Sequence, residues 1–73
     1  PPRENGMSVA KTIEPKAASR TSVEDAVQSG LAKCAETVRN IQGAWVEGIK
    51  VVTDDTGRIT EWRVDLKVTF LVR

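Results

Sequence analysis

The sequence has no histidine and a single cysteine, Cys34, among its 73 residues. An intrachain disulfide therefore cannot form, and the usual His and Cys ligand sets for zinc or iron–sulfur clusters are missing. A nucleophilic serine or cysteine would also lack a histidine base beside it. Asp54 and Asp55 lie in a predicted turn, where Asp commonly forms local hydrogen bonds. The composition argues against an enzyme and a metal site, and favours a buried structural role for Cys34.

The sequence also lacks an excess of one charge and a long apolar run. Its net charge is +1, with both signs spread along the chain, whereas nucleic-acid binders usually have a basic stripe. No stretch approaches the about 18 apolar residues that a membrane span needs. A secretory leader is not evident, and a lone thiol suits a reducing compartment. We therefore expect a cytoplasmic protein that binds neither nucleic acid nor membrane.

The length allows one domain with a thin core. Residues 1–6 are polar and rich in turn formers, and are interpreted as a disordered extension or a remnant of expression cloning. Residues 7–73 form the single domain, with Met7 as a plausible natural start. Because an intrachain disulfide and the usual zinc or iron–sulfur ligand sets are missing, we expect subunit association to stabilise so small a core.

The first half of the domain predicts a short strand followed by one helix. The strand covers residues 7–14, and Pro15 ends it because proline cannot donate to a ladder. The loop that follows contains two candidate helix N-caps, Ser19 and Ser22, and the helix is predicted to continue to about Asn40. Its apolar residues recur every three or four positions and indicate one buried face, namely Val27, Leu31, Cys34, Val38 and Ile41, widened by Ala35.

The second half predicts a β-hairpin. Residues 44–52 form one strand, whose alternation is interrupted at Gly48, where we expect a bulge. Residues 53–58 form the hairpin loop, in which Gly57 supplies a positive φ. Residues 59–72 form the most regular strand. Its apolar side chains alternate with polar ones and are expected to meet the helix: Trp62, Val64, Leu66, Val68 and Phe70.

The opposite face of this predicted sheet is mixed in character. We place on it the charged residues of the last strand together with several apolar side chains, namely Arg63, Asp65, Lys67, Leu71, Trp45, Ile49 and Val51. A face with this many apolar residues among alternating charges suits a subunit interface better than open solvent.

Three segments in this order resemble the dodecin family. They are the loop at residues 18–22 (ASRTS), the end of the predicted helix at residues 35–40 (AETVRN), and the last strand at residues 62–70 (WRVDLKVTF). The resemblance extends from Met7 to Arg73. It implies an α+β fold of β-α-β-β order, with a three-stranded antiparallel sheet wrapped around one helix.

The resemblance also implies a function. Twelve dodecin subunits assemble into a hollow homododecamer that is not an enzyme. Many members bind and store flavin (riboflavin, FMN or FAD) between subunits, stacked on a Trp and hydrogen-bonded by a Gln, and some are associated with coenzyme A or metal ions. The predicted partners are therefore further copies of the chain and a small-molecule ligand.

The sequence departs from the family at both flavin-contacting positions. Gly43 stands where the stacking Trp is expected, and Arg63 where the Gln is expected. Trp45 lies two residues after Gly43 and would share its face in an unbroken strand, about 7 Å further along. The predicted ligand-binding residues are Gly43, Trp45 and Arg63, since an arginine could stack on a ring or bind a phosphate.

A second interpretation leaves these residues without a ligand. Trp45 would then pack in a subunit contact, and Arg63 would pair with an acid such as Glu47 or Asp65. In this alternative the assembly has lost flavin binding, and is structural or holds another small ligand or ions.

Overall fold

The structure, a computed structural model, describes residues 9–72 and has five elements along the chain. They are β1 (Val9–Ile13), β2 (Lys16–Ser19), α1 (Val23–Ala35), β3 (Ile41–Thr53) and β4 (Ile59–Val72). The predicted extension, residues 1–6, lies outside the described residues. The β-α-β-β order and the antiparallel sheet predicted from the sequence are confirmed, except that the strand before the helix has two segments.

Strand β4 is the centre of the sheet and pairs antiparallel with the other three strands. Strand β3 lies along one side of β4, and β1 and β2 share the other side. The sheet is therefore three strands wide, as predicted, although four segments build it. We predicted a loop for residues 15–22, and this was wrong for residues 16–19, which form β2. Pro15 lacks an N–H, but its carbonyl accepts a hydrogen bond from the Leu66 N–H at 2.9 Å, so the ladder resumes after it.

Helix α1 begins at the second of the two predicted N-caps. The hydroxyl of Ser22 accepts a hydrogen bond from the backbone N–H of Asp25 at 3.0 Å. The hydroxyl of Ser19 instead donates to the Asp25 carboxylate at 2.6 Å and accepts from the backbone N–H of Thr21. One acidic side chain and two hydroxyls thus fix the turn that aims the helix across the sheet.

The helix ends at Ala35, five residues earlier than the predicted end at Asn40. Asn40 has a φ of 62°, a left-handed conformation that reverses the chain into β3. The apolar repeat nevertheless continues, because Ile41 packs against the same core from the start of β3. Ala35, which was expected to widen the buried face, is exposed instead. A helical repeat in the sequence therefore extended beyond the helix itself.

The core lies between α1 and the centre of β4. Among residues 9–72, the buried hydrophobic residues are Ala26, Val64, Leu66 and Val68. Partly buried side chains surround them, including Ile13, Ala17, Val23, Val27, Leu31, Cys34, Ile41 and Ala44. The predicted contact between the β4 apolar face and the helix is confirmed, and so is the packing of Cys34 against the core. Trp62 and Phe70 are half-buried at the margins of this core.

A β-bulge in β3 decides which way its second half faces. The register against β4 shifts between Val46 and Gly48, as the sequence predicted. Because one extra residue reverses the alternation, Ile49 lies opposite Val64, on the helix side of the sheet. We placed Ile49 and Val51 on the face opposite the helix, and this was wrong.

Candidate functional site

The face of the sheet opposite α1, here called the outer face, contains every residue predicted to bind a ligand. Antiparallel partners share a face, and side chains alternate along a strand, so the register assigns its members. Its main side chains are Trp45, Lys50, Glu61, Arg63, Asp65, Lys67 and Thr69. Gly43 is also on this face, opposite Thr69. The bulge leaves Trp45 on the outer face, because it precedes the extra residue.

An open groove of 590 Å³ surrounds Arg63 on the outer face. Its lining includes Lys16, Gly48, Lys50, Glu61 and Asp65. A cavity of this size falls in the range of small-molecule sites, which is about 300–1,000 Å³. The bulge at Gly48 forms part of its wall, where the Asp65 carboxylate lies so close that a Cβ on Gly48 would be 3.1 Å from Oδ2.

Two exposed ion pairs order the charges of the groove. The Lys16 Nζ lies 2.8 Å from Asp65 Oδ1, and the Arg63 Nε lies 2.7 Å from Glu61 Oε1. The hydrogen bond from Lys16 to Asp65, together with the charge of that carboxylate, raises the pKa of Lys16 above its ordinary value. Exposed pairs of this kind contribute little to stability, so their main effect is to orient side chains.

The groove has a surplus of positive charge. Lys50 lies directly opposite Arg63 in the register, and within residues 9–72 it forms no ion pair. Three cations therefore face two carboxylates. The alternative interpretation paired Arg63 with an acid such as Glu47 or Asp65, and the structure gives it an acidic partner that is neither of these two. The acid is Glu61, two residues away on the same face, because Lys16 already occupies Asp65.

Trp45 and Gly43 form a second feature at the other end of the outer face. The Trp45 side chain is 71% exposed and lies opposite Lys67, beside a shallow depression of 150 Å³ that Thr69 also lines. A Cβ placed on Gly43 would meet nothing within 4 Å. The outer face therefore presents a large exposed indole two residues from a glycine with open space above it.

A single chain does not bring all three predicted residues together. Gly43 and Trp45 are neighbours, whereas Arg63 is four residues along β4 from Lys67, the partner of Trp45. At about 3.3 Å per residue, the two positions are about 13 Å apart. A ligand that touches both must span this distance, or a second chain must supply one of the contacts.

Other residues of the groove were not predicted from the sequence. Lys16, Lys50 and Glu61 reach it through strand pairing, and the segment of Lys16 was assigned to a loop. The hairpin alone brings Lys50 and Arg63 close, but their exact pairing depends on where the extra residue of the bulge falls. These residues could therefore be predicted only from the exact register of the strands, which the sequence does not provide.

Within 9–72, no cluster of three or more His, Cys, Asp or Glu side chains is placed to hold a metal ion. In that part of the chain, no helix is long and apolar enough to cross a membrane.

The fold and the outer face define a small α+β protein in which one helix covers one side of an antiparallel sheet. The dodecin family model matches residues 9–73. The chain belongs to the dodecin family, whose members assemble as homo-oligomers. No curated protein matches the sequence.

Solved structures agree with this assignment. A mutant form of the Thermus thermophilus dodecin is 29% identical, with a TM-score of 0.83 over 90% of this chain and 97% of that chain. The calcium dodecin of Mycobacterium tuberculosis, described as a calcium-chelating antigen with a calcium-binding site, is 31% identical. Its TM-score is 0.76, over 89% of this chain and 91% of that one. A Streptomyces coelicolor dodecin, 22% identical with a TM-score of 0.85, covers 94% of this chain and 97% of its own, and shows the shared fold.

Proposed function

We propose that this chain is a non-enzymatic subunit of a homododecameric shell that binds and stores flavin between its subunits. The observation on which the proposal depends is the exposed indole of Trp45, which lies on the same face as Gly43, where no side chain limits access to the sheet. The Trp45 indole is 71% exposed on a sheet face, so its burial contributes little to the stability of the single chain. Its flat aromatic surface is suited to stacking on a planar ring.

The thin core supports the assembly part of the proposal. Among the described residues the buried core consists of one alanine and three β4 side chains. Large apolar side chains are exposed on both faces of the hairpin, including Trp45 on one and Ile49 on the other. Contacts with further copies would remove them from water, which stabilises the folded chain.

The charges of the groove support a flavin with a polar or phosphorylated side chain. Arg63 replaces a neutral Gln and is already oriented by Glu61. A guanidinium can donate two parallel hydrogen bonds to a phosphate or stack on a ring. The sequence has no histidine, the most frequent general base of enzymes, which is consistent with storage instead of catalysis.

Flavin fluorescence tests the proposal directly. Titration of riboflavin and FMN with wild-type protein is expected to quench the fluorescence at micromolar subunit concentration. Trp45→Ala is expected to weaken binding by about 1–3 kcal/mol, the value of one base-like ring stacked on an aromatic side chain. Trp62→Phe is the matched control, because it also removes one indole but from the helix side of the sheet.

Absence of quenching by the wild-type protein at micromolar concentration would rule out the flavin part of the proposal. Equal affinity of Trp45→Ala and wild type would remove Trp45 from the site while leaving flavin binding intact.

A second candidate function is the same shell without flavin, structural or holding another small ligand or ions. The observation that favours it is the pair of replacements at Gly43 and Arg63. Here Trp45→Ala reduces the mass of the assembly in light scattering, and the wild type leaves flavin fluorescence unchanged. Titration with calcium by calorimetry would then test an ion as the ligand, since one related dodecin is described as a calcium binder.

A further inference from the structure

Two positive side chains lie directly opposite each other on the outer face. The register places Lys50 of β3 beside Arg63 of β4, and Ala18 of β2 completes the row on the other side of Arg63. Opposite side chains of an antiparallel pair have Cβ atoms about 4.5–5.5 Å apart, and like charges at such positions destabilise a sheet. This row therefore has two cations and no acid, and nothing within the row offsets their repulsion.

The neighbouring carboxylates do not balance the two cations. The Asp65 carboxylate is paired with Lys16 at 2.8 Å, and Glu61 Oε1 accepts from the Arg63 Nε at 2.7 Å. One carboxylate thus serves two cations, because Lys50 forms no ion pair within the described residues. The bond at Nε also fixes the guanidinium, whose two terminal nitrogens donate to no acceptor in that part of the chain. The groove therefore has an oriented pair of donors and one unbalanced positive charge.

Small residues on both sides of Arg63 leave room for a ligand in front of these donors. Ala18 flanks it on β2, and on β3 the bulge places Gly48 in the adjacent row. A side chain at Gly48 would crowd the Asp65 carboxylate, since its Cβ would lie 3.1 Å from Oδ2. The resulting groove of 590 Å³ is large enough for a small molecule. A single row of cations on a chain with a net charge of +1 does not resemble the basic stripe that binds nucleic acid.

We propose that the terminal nitrogens of Arg63 and the ammonium group of Lys50 bind the phosphate of a phosphorylated small molecule. A phosphate monoester has a charge of about −1.5 to −2 at pH 7 and three acceptor oxygens. Two oxygens can accept the parallel hydrogen bonds of a guanidinium, and the third can face the lysine, which acts as a point charge. A carboxylate has two oxygens and a single charge, so it fits this pair of cations less completely. The anion site follows from the groove, whereas its assignment to the phosphate of a flavin rests on the proposed function.

FMN and riboflavin test the proposal, because they differ only in the phosphate. Fluorescence titrations at low ionic strength are expected to give a dissociation constant about tenfold lower for FMN, the value of one charge-assisted hydrogen-bond contact. Arg63→Gln should bring this ratio to within about twofold of one, and Lys50→Gln should lower it in part. Added salt should weaken the binding of FMN and leave that of riboflavin unchanged, because ions screen exposed charges.

Two matched variants remove the same charges elsewhere. Arg58→Gln changes an exposed arginine of the hairpin turn, and Lys33→Gln changes an exposed lysine of α1. Neither residue lines the groove, so both variants should keep the wild-type ratio. Circular dichroism and light scattering verify that each variant folds and assembles. If Arg63→Gln fails to assemble, Lys50→Gln and the salt dependence decide the test.

Equal affinity of the wild type for FMN and riboflavin would overturn the anion site and leave flavin binding intact. Equal losses in Arg63→Gln and Arg58→Gln would overturn it as well. If neither flavin binds, calorimetry with phenyl phosphate separates the two ideas. Binding of phenyl phosphate that weakens about tenfold in Arg63→Gln would leave the anion site standing and reject the proposed flavin function. No binding of phenyl phosphate would overturn the anion site too.

Discussion

Side-chain size at position 30 is limited by how closely the helix approaches the sheet. We expect Gly30→Ala to destabilise the fold, although alanine favours helices over glycine by about 1 kcal/mol. The new methyl group would lie 2.9 Å from the Ala17 Cβ and 3.1 Å from Leu66 Cδ1. Overpacking of this kind costs about 1–3 kcal/mol. Urea unfolding at fixed protein concentration measures the net change in the free energy of unfolding.

Ser29→Ala is the matched control for Gly30→Ala, since Ser29 is an exposed neighbour on the same helix. It gains helix propensity without entering the core and should be neutral or slightly stabilising. A Gly30→Ala protein more stable than wild type would show that α1 can move away from β2 at little cost.

Asp54 organises the hairpin turn through a single carboxylate oxygen. Its Oδ1 accepts hydrogen bonds from the N–H and the hydroxyl of Thr56 and from the N–H of Arg58. We expect Asp54→Ala to lower the urea midpoint, because both N–H groups lose their partner. Asp55→Ala is the control, since the neighbouring carboxylate forms none of these bonds.

The same carboxylate makes the turn sensitive to acid. Hydrogen bonds from Thr56, and then from Arg58, hold the pKa of Asp54 below its ordinary value. A lowered folded pKa gives stability that is present above the unfolded pKa, about 3.9 for Asp, and is lost as pH falls through the folded value. The stability difference between wild type and Asp54→Ala should therefore be constant near neutral pH and shrink below about pH 4. A difference that persists unchanged at pH 2 would contradict this assignment.

At the scale of elements, the start of α1 depends on one hydroxyl. Ser22→Ala removes the acceptor for the Asp25 N–H, and N-cap replacements of this type cost about 1 kcal/mol. Thermal unfolding followed by the helical circular dichroism signal should show the loss. Thr21→Ala is the control, because Thr21 uses its backbone N–H, and not its hydroxyl, in this turn. Equal effects of the two changes would argue against capping as the cause.

The bulge in β3 has consequences for the whole molecule. It turns Ile49 and Val51 to the helix side, but α1 covers only the central part of that face, so Ile49 remains 60% exposed. The molecule is also elongated, with extents of 56 × 20 × 14 Å. An isolated chain of this shape has a high proportion of surface, which is consistent with assembly as the source of much of its stability.

We expect Ile49→Asp to reduce the assembled mass, because a carboxylate in an apolar subunit contact would be desolvated without a partner. Light scattering and analytical ultracentrifugation measure the mass, and the thermal midpoint of wild type should rise with protein concentration. Thr53→Asp, an exposed change further along the same strand, serves as the control. An Ile49→Asp protein with wild-type mass would show that this side chain faces solvent in the assembly.

Local signals in the sequence determined the elements and their order. The alternation of residues 59–72 gave the central strand with its observed bounds, and Gly57 fixed the hairpin turn. The two candidate N-caps, Ser19 and Ser22, marked the start of the helix to within three residues, and the break at Gly48 marked the bulge. These features depend on periods and residue types within a few positions of one another, so one sequence suffices to predict them.

Tertiary structure decided what depends on register and distance. It resumed the sheet at Lys16 after the break at Pro15, and it ended the helix at Ala35. It put Ile49 on the helix side, because the bulge reverses alternation at a point that the sequence locates only to within a residue or two. It also gave Arg63 its partner Glu61 and separated Arg63 from Trp45 by about 13 Å along the sheet.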